Sequence, residues 1–283
     1  MLSLVEAFLR FCSRIKNEMK HRHVLLISLA LLHSAVACGR EVAAATVSLT
    51  SGQVRQGEIV ELKVAGAGLL DVKGRAGQDA IHFYPTGRDA HAALVGVDLE
   101  AKPGPVKITI QGTTTSGRTL ARQLELQVKA KAFLREEFTV AAEFDQLSPE
   151  VLERIRRERD RLEGVFAAAA TARLWEGPFV QPVAGGITSP FGYRRVVNGL
   201  ARAPHTGTDL RAPSGTEVGA ANHGRVVLLG DFFFSGKSLV LDHGAGLFTL
   251  YFHLSEFKAP EGAIVRKGDV IALSGMSGRV TGP

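Results

Sequence analysis

With 283 residues and a hydrophobic fraction of 45%, the chain describes a soluble globular protein with room for two domains. Its formal charge is +6, and the first 37 residues supply half of that, so the remainder carries only a mildly basic surface. Such a surface suits an anionic cell wall or is simply solvated, and nothing in it argues for a nucleic-acid partner.

Residues 1–37 read as an export presequence. Lys20, His21, Arg22 and His23 form a charged stretch ahead of the apolar run 24–37, and Ala35-Val36-Ala37 fits the small-x-small rule for cleavage. The run is short for a bilayer span and His33 interrupts it, which favours export to the periplasm or cell envelope. Met19 directly precedes the basic cluster and is an alternative start. Of the two cysteines, Cys12 falls in the presequence and Cys38 at the cleavage point, so no intramolecular disulfide is expected in the mature chain. Cys38 is either a lipid anchor to a membrane or an incidental residue, since Ala35 stands where a lipoprotein signal usually has leucine.

Residues 41–145 read as an immunoglobulin-like β domain. Strands are expected at 47–50, 59–64, 80–84, 92–97, 106–111 and 120–128, with glycines between them. Val106-Lys107-Ile108-Thr109-Ile110 and Leu124-Glu125-Leu126-Gln127-Val128 alternate apolar and polar, the period of a half-buried strand. His82 and His91 are expected as ordinary strand residues, and the module as a spacer or contact domain.

Residues 148–176 read as a helical linker. Ser148 suits a cap, Pro149 the first helical position and Glu150 the positive end of the dipole. Val151, Leu152, Ile155, Leu162, Val165 and Phe166 recur at helical spacing, leaving Arg154, Arg156, Arg157, Arg159 and Arg161 for the wet face. Trp175-Glu176-Gly177-Pro178 marks the boundary to the last domain.

That domain, residues 179–283, holds the residues that suggest chemistry. In His205-Thr206-Gly207-Thr208-Asp209, the Thr-Gly-Thr centre and the flanking Pro204 and Pro213 disfavour helix, so the segment reads as extended. His205 and Asp209 then point the same way with Gly207 between them, a metal-ligand geometry that suits zinc. Upstream stands Ser189-Pro190-Phe191-Gly192-Tyr193-Arg194. Downstream come Tyr251-Phe252-His253-Leu254 and Ser274-Gly275-Met276-Ser277-Gly278-Arg279-Val280-Thr281-Gly282-Pro283. Strands are expected at 217–220, 224–229, 238–242, 248–252 and 270–273, with 242–246 as a hairpin turn. His243 and His223 are expected as structural residues, and Phe232-Phe233-Phe234 as a packed cluster or the lining of a groove.

In order and spacing these motifs resemble the lysostaphin-like (LytM-type) zinc metallopeptidases, endopeptidases of bacterial cell-wall peptidoglycan. The resemblance implies a mainly β domain of duplicated-hybrid-motif architecture. It makes His205 and Asp209 zinc ligands and His253 a catalytic histidine. It also implies a further zinc ligand and a second catalytic histidine in a His-x-His motif just after a Thr-Gly-Pro such as Thr281-Gly282-Pro283, where this sequence stops. The expectation is therefore an incomplete site, binding zinc poorly and hydrolysing peptidoglycan little if at all. The alternative is a non-catalytic module that binds wall or regulates another hydrolase, with peptidoglycan and envelope proteins as partners.

Overall fold

The computed structural model describes residues 45–139 and 147–280. The presequence, Cys38 and Thr281-Gly282-Pro283 lie outside the described residues. Among the described residues, no helix is long and apolar enough to cross a membrane.

The first half is a two-sheet sandwich. Its strands are β1 (Thr46–Leu49), β2 (Gln53–Arg55), β3 (Ile59–Ala65), β4 (Leu69–Ala76), β5 (Asp79–Ile81), β6 (Tyr84–Gly87), β7 (Ala90–Gly96), β8 (Gly104–Thr114) and β9 (Thr119–Lys129). One sheet runs β1-β3-β7-β6 and the other β2-β9-β8-β4-β5. The alternation of β3 sends Val60, Leu62 and Val64 inward, where they meet Ile108 and Ile110 of β8 and Leu120 and Leu126 of β9 in one core.

Three strands, β2, β4 and β6, stand beyond the expected set, for local reasons. β4 carries Gly74, where an added Cβ would lie 2.8 Å from the Thr109 carbonyl oxygen, so close strand approach replaces the side-chain alternation that marks a strand. β6 contains Pro85 and forms a sheet edge, where a missing N–H is tolerated. The stretch expected as one strand at 80–84 is split, with His82 in the connection between β5 and β6.

A short strand, β10 (Arg135–Phe138), leaves the sandwich, and α1 (Pro149–Ala167) follows. Ser148 caps α1, its hydroxyl accepting from the Val151 N–H at 3.4 Å. Ile155 and Leu162 of α1 are buried with Leu228, Phe232, Phe234 and Val240, so the helix packs on the second half. Two expectations about its faces are corrected. Leu152 is 54% exposed, and Arg159 only 8%, because residues 155, 159 and 162 share the inward stripe. The Arg159 guanidinium stands 3.0 Å from the Asp160 carboxylate.

The second half comprises β11 (Ile187–Ser189), β12 (Arg194–Val197), β13 (Leu200–Ala201), β14 (Asp209–Leu210), β15 (Glu217–Gly219), β16 (Gly224–Phe232), β17 (Gly236–Asp242), β18 (Phe248–Phe257), β19 (Ile264–Val265) and β20 (Val270–Ser274). Six of them form an antiparallel sheet in the order β15-β20-β18-β17-β16-β19. Its central strand β17 is covered on both faces, Leu239 and Leu241 entering one core and Val240 the core beneath α1. Phe232 and Phe234 are buried under α1, and Phe233 lies edge-on to Phe234 at 5.0 Å. The aromatic trio is thus a packed cluster.

The halves share a small core. Trp175 meets Tyr84 of β6 edge-on at 5.0 Å, and Ala245 and Leu247 of the β17–β18 hairpin pack around them. Arg173 covers both rings at 5.4 and 5.2 Å, so the segment after α1 plugs the junction.

Candidate functional site

The site is assembled where the two-stranded β11–β14 pairing meets the end of β18. Asp209 opens β14, opposite Ser189 of β11, while His205 precedes it in extended chain that bends at Gly207. The backbone of His205 is held on both sides: its N–H donates to the Tyr193 carbonyl at 2.9 Å and its carbonyl accepts from Gly192 at 2.7 Å. Gly192 has φ +93, and an added Cβ would lie 2.3 Å from the Phe133 ring, so the clamp needs glycine there.

The ring of His205 is oriented by its Nδ1, 3.1 Å from the Pro190 carbonyl oxygen and 3.2 Å from the Ser189 hydroxyl. A carbonyl only accepts, so the ring proton sits on Nδ1 and the Nε2 lone pair faces the Asp209 Oδ1, 3.2 Å away. Two electron-pair donors that close repel unless a cation lies between them, a proton in the metal-free pair or a metal ion in its place. The ligating atoms of a tetrahedral zinc, with bonds of about 2.0–2.1 Å, stand about 3.3 Å apart. The pair therefore fits two corners of a zinc site, and the Pro190 carbonyl supplies the outer hydrogen bond that metal-binding imidazoles usually make.

Asp209 is 51% exposed along its side chain. Burial of the remainder favours its neutral form, but the hydrogen bond from His205 and the charges of His205, Arg195 and His253 outweigh it and hold the carboxyl below its ordinary pKa. This places the field of His253 at the same carboxylate. His253 sits at a bulge in β18, where Leu239 pairs with Tyr251 but Lys237 with Leu254. It has φ +57, a strained value for a side-chain-bearing residue, and such bulges re-aim side chains. Its backbone N–H donates to the Ser235 carbonyl at 2.8 Å, and its Nδ1 lies 2.8 Å from the Ser277 carbonyl oxygen. The proton again belongs on Nδ1, leaving Nε2 as the basic atom.

Thr249, Tyr251 and His253 read from the sequence as one strand face, from which Tyr251 or His253 would meet a substrate. Tyr251 does not reach a substrate: it is 6% exposed, and its hydroxyl accepts from the Ala221 N–H at 2.8 Å within the core. The bulge that follows removes His253 from the face that Thr249 and Tyr251 share. His243 is fully buried with both ring nitrogens engaged, Nδ1 with the His223 carbonyl at 2.6 Å and Nε2 with Thr249 Oγ1 at 2.7 Å. Burial pushes its pKa down, only partly offset by that carbonyl and Asp242.

Sequence reading missed Arg195 and Glu136. The Arg195 Nε meets Glu136 Oε1 at 2.7 Å and its Nη2 stands 3.8 Å from Asp209 Oδ2. The doubled arginine after Phe-Gly-Tyr was the only signal, and Glu136 had none, because it arrives through pairing of strands 59 residues apart. Among the described residues, no group of three or more His, Cys, Asp and Glu side chains is placed to hold a metal ion. A cavity of about 700 Å³ between the sandwich and residues 171–176 contains none of the donors above, so we locate the chemistry at His205, Asp209 and His253.

Residues 203–283 match the profile of Peptidase family M23. The matched region is the one that holds His205, Asp209 and His253. The M23 region is similar to the peptidoglycan DD-endopeptidase ShyA of Vibrio cholerae, with 42% identity over 98 residues, 34% of this chain and 23% of the relative. It is likewise similar to the DD-carboxypeptidase/endopeptidase Mpg of Neisseria meningitidis, 43% over 97 residues, 34% of this chain and 22% of that protein. The chain thus spans about a quarter of the length of these curated relatives. The fold is similar to the crystal structure of a putative M23 peptidase from Pseudomonas aeruginosa, with TM-score 0.56, 29% identity, and 75% of this chain and 79% of that one covered. That likeness covers more of the chain than the M23 match does.

Proposed function

We propose that the M23 region is a zinc-dependent endopeptidase that hydrolyses peptide bonds in bacterial peptidoglycan, acting in the periplasm or cell envelope after export. The observation that carries the reading is the His205 Nε2 to Asp209 Oδ1 approach of 3.2 Å, with the ring proton of His205 committed to the opposite side. The relatives named as peptidoglycan DD-endopeptidases supply the substrate class.

In this reading His205 and Asp209 hold the metal. A zinc ion there supplies a Lewis acid for the scissile carbonyl and a water acidified towards a pKa of about 7. His253, with Nδ1 fixed by the Ser277 carbonyl, offers Nε2 to take or return a proton, a contribution of typically ~100- to 10,000-fold. The half-exposed Asp209 and the buried but edge-reaching His205 keep the donors open to a polymeric substrate while their backbone stays clamped.

The test compares the 283-residue chain, alone and continued by the family's His-x-His segment, for bound zinc and for release of soluble wall fragments. The expected result is weak zinc binding and little cleavage by the chain alone, with both raised by the continuation and lost again in its His205→Ala and Asp209→Ala variants. Absence of cleavage by both versions, with zinc bound, would instead favour a wall-binding module.

A further inference from the structure

The strand that leaves the sandwich reaches the site. β10 pairs in parallel with β12, placing Glu136 beside Arg195 and Glu137 beside Val196, and the Arg194 N–H donates to the Leu134 carbonyl at 2.7 Å. Phe133, just before β10, packs on Gly192 and lies under the Arg194 guanidinium at 5.2 Å. The loop that clamps His205 is therefore itself held by residues that leave the sandwich.

Arg195 is 17% exposed along its side chain and is gripped at Nε by Glu136, a charge-assisted bond of 2.7 Å. Its free end stands 3.8 Å from Asp209 Oδ2, while Oδ1 faces His205. A guanidinium free to move closes on a carboxylate as a two-pronged pair and occupies both oxygens. Here the grip on Nε prevents that closure. The two oxygens of Asp209 are thereby given different tasks, and Glu136 offsets a positive charge that otherwise opposes a dication.

We propose that Glu136 and Arg195 are positioning residues for Asp209: Glu136 restrains Arg195, and Arg195 fixes Oδ2 so that Oδ1 is turned to the metal beside His205. The inference rests on His205 and Asp209 being metal ligands. It gives the strand that follows the sandwich a part in metal binding that neither a spacer nor a contact module has.

Charge and position are separable. Arg195→Gln alone removes a positive charge, which favours a dication, and also frees Asp209, which disfavours it, so the two effects oppose. Glu136→Gln combined with Arg195→Gln leaves the net charge unchanged, and any loss then reports orientation. The experiment titrates Co²⁺ into the 283-residue chain and follows both affinity and the visible absorption of the bound ion, with melting temperature measured in parallel. The double variant is expected to bind about 10- to 100-fold more weakly, the usual cost of losing an outer partner of a metal ligand, with an altered spectrum. Glu136→Gln alone is expected to weaken binding in the same direction, and to change nothing further in an Asp209→Ala background. A purely structural pair lowers the melting temperature but leaves the affinity and spectrum of the folded protein as they were, and that result overturns the proposal. If His205→Ala binds Co²⁺ as tightly as the unaltered chain, the metal assignment itself is wrong and this inference falls with it.

Discussion

The sandwich and the six-stranded sheet are built by the same alternation of side chains, yet they place strained backbone differently. In the sandwich the one side-chain-bearing residue with positive φ is Asp89, at φ 61 in the turn between β6 and β7, where aspartate tolerates that conformation. In the second half, His253 adopts φ 57 inside β18, where nothing about a strand requires it. A turn explains the first. The second is held by Ser235 and Ser277, which fix the backbone and ring of one histidine, and it lies at the end of the sheet where we place the site.

The comparison breaks first at the metal pair. In the chain continued by the family's His-x-His segment, His205→Ala and Asp209→Ala are each expected to reduce wall-fragment release to background and bound zinc to a small fraction, measured by elemental analysis of the purified protein. Equivalent changes at His82 or His91 in the sandwich should alter neither. Retention of zinc by the His205 variant would move the site elsewhere.

A smaller effect separates binding from proton transfer. In the same continued chain, His253→Gln should lower kcat by ~100- to 10,000-fold while zinc content stays near that of the unaltered protein. A matching loss of zinc would show His253 to be a ligand, and the bulge in β18 to serve coordination.

Much of this was legible in the sequence, and the limits have physical causes. The approach of His205 to Asp209 could be read because they are four residues apart with glycine between them, and α1 because its cap and apolar spacing are local. Arg159 misled because arginine is normally solvated, whereas here it falls on the same stripe as Ile155 and Leu162. The shared face of Tyr251 and His253 misled because one extra residue in a strand turns every later side chain over, and a bulge has no reliable signature in a single sequence. β10, Arg-Glu-Glu-Phe, looks nothing like a strand, and it is one only because β12 pairs with it.

Next in size is the joint between the halves. Trp175 is buried against Tyr84, Ala245 and Leu247, and its removal opens a cavity where sandwich and sheet meet. Trp175→Ala should cost about 3–5 kcal/mol by the usual scale for a buried aromatic. If the junction is what couples the halves, calorimetry should then resolve two transitions in place of one. A single transition lowered in temperature would mean that the β10–β12 pairing and Phe133 carry the coupling instead.

The smallest expected effect is a pH dependence that belongs to the second half. His243 is buried and neutral, and burial holds its pKa below the ordinary histidine value of about 6.5. As pH falls through 6.5, the unfolded chain takes up a proton at this residue and the folded chain does not, so unfolding is favoured. Stability from this group is therefore fully present above about pH 6.5 and lost as pH falls towards the folded-state value, with a slope of at most about 1.4 kcal/mol per pH unit. The bond from Nδ1 to the His223 carbonyl and the charge of Asp242 act the other way and keep the slope below that limit. Urea unfolding between pH 7.5 and about 5.5 should show the decline. His243→Gln, which retains a donor for the His223 carbonyl and an acceptor for Thr249, should lower stability at neutral pH and flatten the slope. A slope unchanged in that variant would assign the pH dependence to another buried group and leave His243 as a packing residue alone.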